Sequence, residues 1–408
     1  MRSRTRAALL PFLFLLTAAS PAEVRQWQKQ AQRVTITRDD WGIAHVHGKT
    51  DADAVFGMIY AQAEDDFPRI EANYLTALGR TAEAEGEEAI WQDLRARLYV
   101  SERGLKSHYA ASPDWLKKLM DSWAAGLNHY LATHPNVRPR VLTRFEPWMA
   151  LSFTEGSIGG DIERIDLGQL EEFYGGTRKS AAVVRDNEPR GSNGIAIAPA
   201  LTTGGAALLL INPHTSFFFR SELQMTSDQG LNAYGAATWG QFFIYQGFNE
   251  RTGWMHTSSG VDNVDEFAQT IEKRGGGFCY RYGKDCRPFA QSPVTIRYRN
   301  AHGNFATRSF TTWHTHRGPI VREANGKWVA FAMMDKPVAA LQQSFLRTKT
   351  RDLADFLKAA NLQANSSNNT IFANRKGEIA YLHPQFVPRR DGRFDYTKPV
   401  DGSDPATD

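Results

Sequence analysis

The feature that most restricts this chain is a change of hydrophobic period partway along it. From about Thr50 to Glu171 apolar residues recur at three- and four-residue steps, as in Trp115, Leu119, Met120, Trp123 and Leu127, and in the stretches 54–61 and 70–78. That spacing gives each helix one core-facing side. From Ser192 onward the apolar residues gather in short β-rich runs separated by Gly, Asn and Pro, at 195–198, 206–211, 241–246, 294–298, 305–312 and 371–382. Helices followed by strands imply a layered α+β fold. Between the two lie residues 172–190, polar, rich in breakers and without period, which read as an exposed linker. The implied division is a leader at 1–22, a helical region at 23–171, a spacer at 172–191 and a strand-rich region at 192–408.

The first 22 residues have their own logic. Arg2, Arg4 and Arg6 precede an apolar run at 7–19, followed by Ser20, Pro21 and Ala22. This is the pattern of a secretory signal cut after Ala22, which places the protein in a periplasm or outside the cell. The alternative, a membrane anchor, needs to cover about 30 Å of hydrocarbon, and this run covers only about 20 Å at ~1.5 Å per residue. Loss of the three arginines lowers the formal net charge from +4 to +1, so no overall basic field remains to attract nucleic acid or anionic lipid. With 42% hydrophobic and 12% aromatic residues the chain can bury a large core.

The only two cysteines, Cys279 and Cys286, bracket Tyr-Arg-Tyr-Gly-Lys-Asp just after Gly275, Gly276 and Gly277. In an exported protein they read as a disulfide closing a hairpin tip. A metal site is the lesser reading, because two thiolates without nearby His cannot fill a tetrahedral shell. The glycine triplet is followed by Phe278 and Cys279, not by the Lys of a phosphate loop, and reads as a turn. His45 and His47, like His314 and His316, share a strand face at i,i+2 as a metal site could require, but neither pair shows an evident acidic third ligand.

The segment with chemical content is Arg190-Gly-Ser-Asn-Gly-Ile-Ala-Ile197, which joins the polar linker to an apolar strand. Gly-Ser-Asn alone is an ordinary turn. Its company is more specific: Leu208-Leu-Leu-Ile-Asn-Pro-His214, then Gly247-Phe-Asn249, Gly253-Trp-Met-His-Thr-Ser258, Val261-Asp-Asn-Val-Asp265, and Asn369-Thr-Ile-Phe-Ala373 with Gly377 and Tyr381. Upstream stand Asp40-Trp-Gly-Ile-Ala-His45, Asp53-Ala-Val-Phe-Gly57 with Tyr60-Ala-Gln62, and Leu78-Gly-Arg80 with Glu85-Gly86. In this order, from Val34 to Pro405, they resemble the penicillin acylase family, which includes acyl-homoserine-lactone acylases.

The resemblance implies an N-terminal-nucleophile hydrolase with an αββα sandwich and a mainly helical first chain. Such precursors cut themselves, here between Gly191 and Ser192, into two chains that stay together as a heterodimer. The cut answers a physical need. A hydroxyl is a poor nucleophile, and no Gly-x-Ser-x-Gly elbow or Ser-His-Asp order is evident. A free α-amine, with a pKa of about 7.7 to 8.0, can take the proton from its own residue's hydroxyl. By resemblance the oxyanion donors are the backbone N–H of Ser258 and the side-chain amide of Asn369, with Asn368 as the alternative if the register is off by one. His214 matches the position that orients the serine, its plainer reading being a core histidine at a strand end. Glu163, Asp262, the carbonyl of Val264 and Asp265 match a loop that holds a structural Ca²⁺ in some members, though loop acids are equally read as solvated. No organic cofactor is implied.

The implied substrates are small N-acyl amides, acyl-homoserine lactones first and β-lactam side-chain amides second. The rival reading is a binding protein that keeps the pocket and never matures. Three departures from the family pattern stand out: Thr215 where an aromatic ring usually lines the acyl pocket, Thr238-Trp239-Gly240 in place of a Pro-Gly turn, and Ala63-Glu-Asp-Asp66 in place of Gln-Asp-Arg. Residues 391–408 run in register with a family segment that continues much further. The expectation for these 408 residues alone is unpaired strand edges, no cleavage and no activity.

Overall fold

The structure, a computed structural model, describes residues 19–153, 161–176, 191–215, 219–365 and 368–408. Its helices are α1 (Pro21–Ala31), α2 (Asp51–Leu78), α3 (Ala82–Glu85), α4 (Ile90–Arg97), α5 (Glu102–Ala111), α6 (Asp114–Thr133), α7 (Leu167–Gly175), α8 (Pro337–Arg347) and α9 (Leu353–Ala360). Its strands are β1 (Val34–Arg38), β2 (Ala44–Gly48), β3 (Gly191–Ile197), β4 (Leu208–His214), β5 (Arg220–Ser227), β6 (Asn232–Thr238), β7 (Gln246–Asn249), β8 (Thr252–Ser258), β9 (Asp265–Gln269), β10 (Ile271–Arg274), β11 (Gly277–Tyr282), β12 (Asp285–Pro288), β13 (Ala290–Arg299), β14 (Phe305–His314), β15 (Ile320–Ala324), β16 (Lys327–Ala332), β17 (Asn368–Asn374), β18 (Ile379–Leu382) and β19 (Val400–Asp401).

The leader's apolar run lies outside the described residues. The expected cut after Ala22 falls within the first turn of α1, where Ser20 Oγ accepts from the Glu23 N–H at 3.3 Å and Glu23 Oε2 accepts from the Ser20 N–H at 2.9 Å. No helix among the described residues is long and apolar enough to cross a membrane.

The two apolar stretches at 54–61 and 70–78 belong to one helix. Asp66 leaves helical geometry (φ −156°, ψ 68°) and its carboxylate accepts from the Arg69 N–H at 3.1 Å. It thereby caps a second helical piece whose early residue Pro68 has no N–H to lose. Gly79, at φ 62°, closes α2 in the left-handed conformation, which accounts for the Leu-Gly-Arg motif.

An eight-stranded sheet runs β1-β2-β5-β6-β7-β8-β17-β18, antiparallel except where β2 lies parallel to β5. The fold is therefore α+β, but its sheet is not confined to the later part of the chain. α2, α6, α8 and α9 cover one face, where Ile59, Trp123, Met225, Trp254, Phe345 and Phe372 share one core. The antiparallel hairpin β3–β4 lies over β8 and β17 on the other face. A second core joins α4 and α7 to β13, β14 and the sheet β15-β16-β9-β19, with Trp91 and Phe310 rings 5.3 Å apart. Cys279 and Cys286 are disulfide-bonded across the β11–β12 hairpin.

Several expected elements differ. Residues 241–245 are not a strand; Phe242, Phe243 and Ile244 are all buried in succession, whereas a strand facing a core buries alternate residues. Residues 371–382 form two strands joined by a turn, α8 and α9 interrupt the strand-rich region, and α7 takes in residues 172–175 of the expected spacer. The rest of that spacer, 177–190, lies outside the described residues.

The irregular 239–241 backbone is held by side chains of the first helices. Gln62 accepts from the Gly240 N–H at 2.8 Å and donates to the Gln241 carbonyl at 3.0 Å; Trp123 Nε1 and the Tyr74 hydroxyl donate to the Gly240 carbonyl at 2.8 and 3.1 Å. Trp239 accepts from Asn73 Nδ2 at 2.9 Å through its carbonyl and packs against the same core. It is thus fixed from the helical side.

Two predictions follow from this packing. Gln62→Ala leaves a buried donor and acceptor unmet and should cost about 2 to 4 kcal/mol in denaturant unfolding. Asp93 accepts from the N–H groups of Thr81 and Ala82 at 2.8 and 2.7 Å, and burial pushes its pKa up to about 6. Because the folded value lies above the unfolded one, its stabilising contribution is full below about pH 4 and is lost as pH rises through about 6, on the order of 3 kcal/mol. Asp93→Asn should flatten the melting temperature measured across that window.

Candidate active site

Gly191 opens β3 with φ 153°, a backbone setting that L side chains rarely adopt, and a Cβ there would meet nothing within 4 Å. Conformation, not crowding, reserves the position for glycine. Ser192 follows, half-buried, and its Oγ donates to the Gly191 carbonyl at 2.5 Å. The hydroxyl therefore lies beside the carbonyl whose carbon it would attack.

Strand alternation decides which side chains can meet it. A Cβ on Gly194 would fall 2.9 Å from Met255 Cγ and Ile371 Cδ1, and one on Gly253 would fall 2.8 Å from Leu209 Cδ2. These close approaches put Ser192 and Gly194 on the inward face of the hairpin, toward β8 and β17. On β17, Ile371 and hence Asn369 face the hairpin. Thr370, whose Oγ1 lies 3.0 Å from buried His256 Nδ1, and Phe372, 4.9 Å from Phe356, face the helices, as does Asn368. By face, Asn369 shares the interlayer space with Ser192, and Asn368 does not.

Asn369 is buried, and its Oδ1 accepts from His383 Nδ1 at 2.9 Å and Gln385 Nε2 at 2.7 Å. With the oxygen held by two donors, Nδ2 is the amide atom left to donate elsewhere. Neither His383 nor Gln385 is visible as functional in the sequence, because both depend on the chain returning past β18. Ser258 ends β8 opposite Asn368, next to the Thr257–Asn369 pair.

His214 is not brought to Ser192. It pairs in register with Gly191, and its Nε2 lies 2.7 Å from Asn212 Oδ1 and 3.3 Å from Asn193 Nδ2, all on the outward, exposed face of the hairpin. Alternation along β4 is the physical reason. The inward partner of Ser192 is Pro213. Phe217 and Phe218, among the aromatics after Thr215, lie outside the described residues.

The implied calcium ligands do not form a cation shell. Among the described residues Glu163, Asp262 and Asp265 do not gather their carboxylates into one metal-sized group. Glu163 is exposed, and the other three donors are engaged by a guanidinium. The histidine pairs are likewise spoken for. His45 bonds Gln224 and lies 3.4 Å from Asp39, His47 bonds Thr226 and lies 3.3 Å from Asp228, His314 bonds the Leu98 carbonyl and His316 pairs with Asp408. Asp39 comes from the turn just before His45 and Asp228 reaches His47 from far along the chain, yet no pair converges on a metal-sized cluster among the described residues.

The geometry sets a serine-bearing hairpin over a sheet that presents a buried asparagine amide. The penicillin amidase family model matches residues 33–408, and the chain belongs to that family. Among curated relatives, the acyl-homoserine lactone acylase QuiP of Pseudomonas fluorescens is 24% identical over 89% of this chain and 51% of its own length. The penicillin acylase 2 proenzyme of Pseudomonas sp. strain SE83 is 23% identical over 88% of this chain and 53% of its own. The chain thus spans about half the length of the curated relatives it matches. The thermostable penicillin G acylase of Alcaligenes faecalis aligns with a TM-score of 0.45 at 21% identity, over 51% of this chain and 38% of its own.

The face assignment yields a sharp test. Asn369→Ala should lower kcat for amide hydrolysis roughly 100- to 1000-fold, Gln385→Ala about tenfold through loss of one bond that fixes the amide, and Asn368→Ala little. Equal losses at 368 and 369 would contradict the placement.

Proposed function

We propose that this chain carries the nucleophile and oxyanion half of an exported acylase that hydrolyses a linear amide through an acyl-Ser192 ester. The observation that supports it most directly is the position of Ser192, Oγ against the preceding carbonyl and side chain turned to the face that holds Asn369. Maturation begins when Oγ attacks the Gly191 carbonyl carbon and the Gly191–Ser192 C–N bond breaks, giving an ester. Water then hydrolyses the ester, freeing the Gly191 carboxylate and the Ser192 α-amine. That amine, partly neutral near pH 7, accepts the hydroxyl proton when Ser192 attacks substrate. Asn369 Nδ2 and the Ser258 N–H stabilise the resulting oxyanion.

A helical layer, an eight-stranded sheet and a facing two-stranded hairpin support the αββα reading of the fold. The products are a free amine and a carboxylic acid. Relatives named for acyl-homoserine lactones and for penicillin make those two N-acyl classes the first substrates to try, the lactones ahead. His214 keeps its proposed orienting role only if cleavage releases the strand end and lets the ring turn inward.

The purified full-length gene product should separate into two associated chains, the second beginning Ser-Asn-Gly-Ile by N-terminal sequencing, and its Ser192→Ala variant should stay one chain. A panel of N-acyl-homoserine lactones of graded length and a phenylacetyl amide should show hydrolysis only by the cleaved form. A wild-type chain that is never cut, with no turnover on any substrate, would favour the binding-protein reading.

A further inference from the structure

We infer that Arg390 is a built-in replacement for the metal ion in the 262–265 loop, and that this protein holds the loop after its oxyanion strand without calcium. The guanidinium reaches all three of the loop donors that the family resemblance assigns to a cation. Nε donates to Asp265 Oδ1 at 2.9 Å, Nη2 lies 2.8 Å from the same oxygen and 3.4 Å from the Val264 carbonyl, and Nη1 lies 3.2 Å from Asp262 Oδ2. Its carbon sits 5.4 Å from the Tyr396 ring centroid, which closes one further side. The pairing is well shielded: the Arg390 side chain is 19% exposed and that of Asp265 6%.

The chemistry of the donors explains why one occupant excludes the other. A divalent ion needs six to eight oxygens at about 2.3 to 2.6 Å, whereas a guanidinium brings several N–H donors in a fixed plane and a permanent charge. Oxygens already accepting from that plane, with the positive charge among them, repel a second cation. The fourth implied ligand, Glu163, stands exposed, with the Arg95 charge acting on it, so the first-half contribution to a cation shell is missing as well.

The placement of Arg390 has a consequence for the site. The loop it grips leaves β8 just after Ser258, and the segment that carries it leaves β17 and β18 after Asn369. One side chain thus ties together the backbone leading away from each proposed oxyanion donor. Arg390 is a positioning residue in this arrangement, touching neither substrate nor the reacting atoms.

The test reads metal binding and stability, not turnover, and so is separate from whether the acylase reading holds. Wild-type protein dialysed against EDTA should melt at the same temperature with and without added CaCl2 and show no Ca²⁺ binding by calorimetry. Arg390→Gln, which opens the three oxygens, should melt lower in EDTA, bind about one Ca²⁺, and recover about 5 °C at saturating Ca²⁺. Arg390→Lys should be indifferent to Ca²⁺, since it keeps the charge. Stoichiometric Ca²⁺ binding by the wild type, or a wild-type melting point that falls on chelation, would overturn the inference without any variant. So would an Arg390→Gln protein that folds and binds no Ca²⁺.

Discussion

The structure depends on a short stretch of backbone that has no strand partner. At Gly240 and Gln241 the chain passes through the main core, and its N–H and C=O groups are met by Gln62, Tyr74 and Trp123 from α2 and α6. Buried backbone polar groups that lack partners cost too much to tolerate. The helical region therefore completes the hydrogen bonding of the strand region, and the two share the main core. β7 and β8 follow directly from this segment, so the position of Ser258 is traceable to a glutamine 178 residues before Gly240 in the chain.

The two faces of the sheet divide the labour. The helix side is close-packed and apolar, with Trp254 and Phe372 fully buried, and it contributes rigidity. The hairpin side is thinner: β3–β4 touches the sheet through Leu209, Met255 and Ile371, at a distance set by glycines at 194 and 253. Placing Ser192 and Asn369 between two β layers keeps both on rigid strands, which holds side chains more tightly than loops would. The outer face of the hairpin, with Ile195, Leu208 and Leu210 about half exposed, and the edge strand β18 with Tyr381, are apolar surfaces that the described residues do not cover.

Much of this was legible in the sequence, and what was not has physical causes. Helices α2 and α6 could be read from their period because each buries one stripe. Ser192, Asn369 and the disulfide pair could be singled out because local patterns mark them. The strand expected at 241–246 failed because three successive buried residues in an irregular segment look, by composition, like a buried strand. His214 was placed by motif position, and only the pleat shows that it points away from its neighbour's partner. His383, Gln385 and Arg390 carry no local signature at all. Their partners lie between 14 and 128 residues away, and a single sequence does not disclose such pairings.

The parallel pairing of β2 with β5 has a bearing on how the molecule could be lost. Its partners are 179 residues apart in sequence, so in the precursor the strands find one another by closing a loop within one chain, whose entropic cost grows only slowly with length. Were the bond before Ser192 cut as proposed, the same seam would join two separate polypeptides. Reforming it after unfolding would then become a bimolecular search that competes with aggregation of exposed strand edges. The matured protein would persist because its unfolding is slow, and a thermal history that merely perturbs the precursor would inactivate the cleaved form for good.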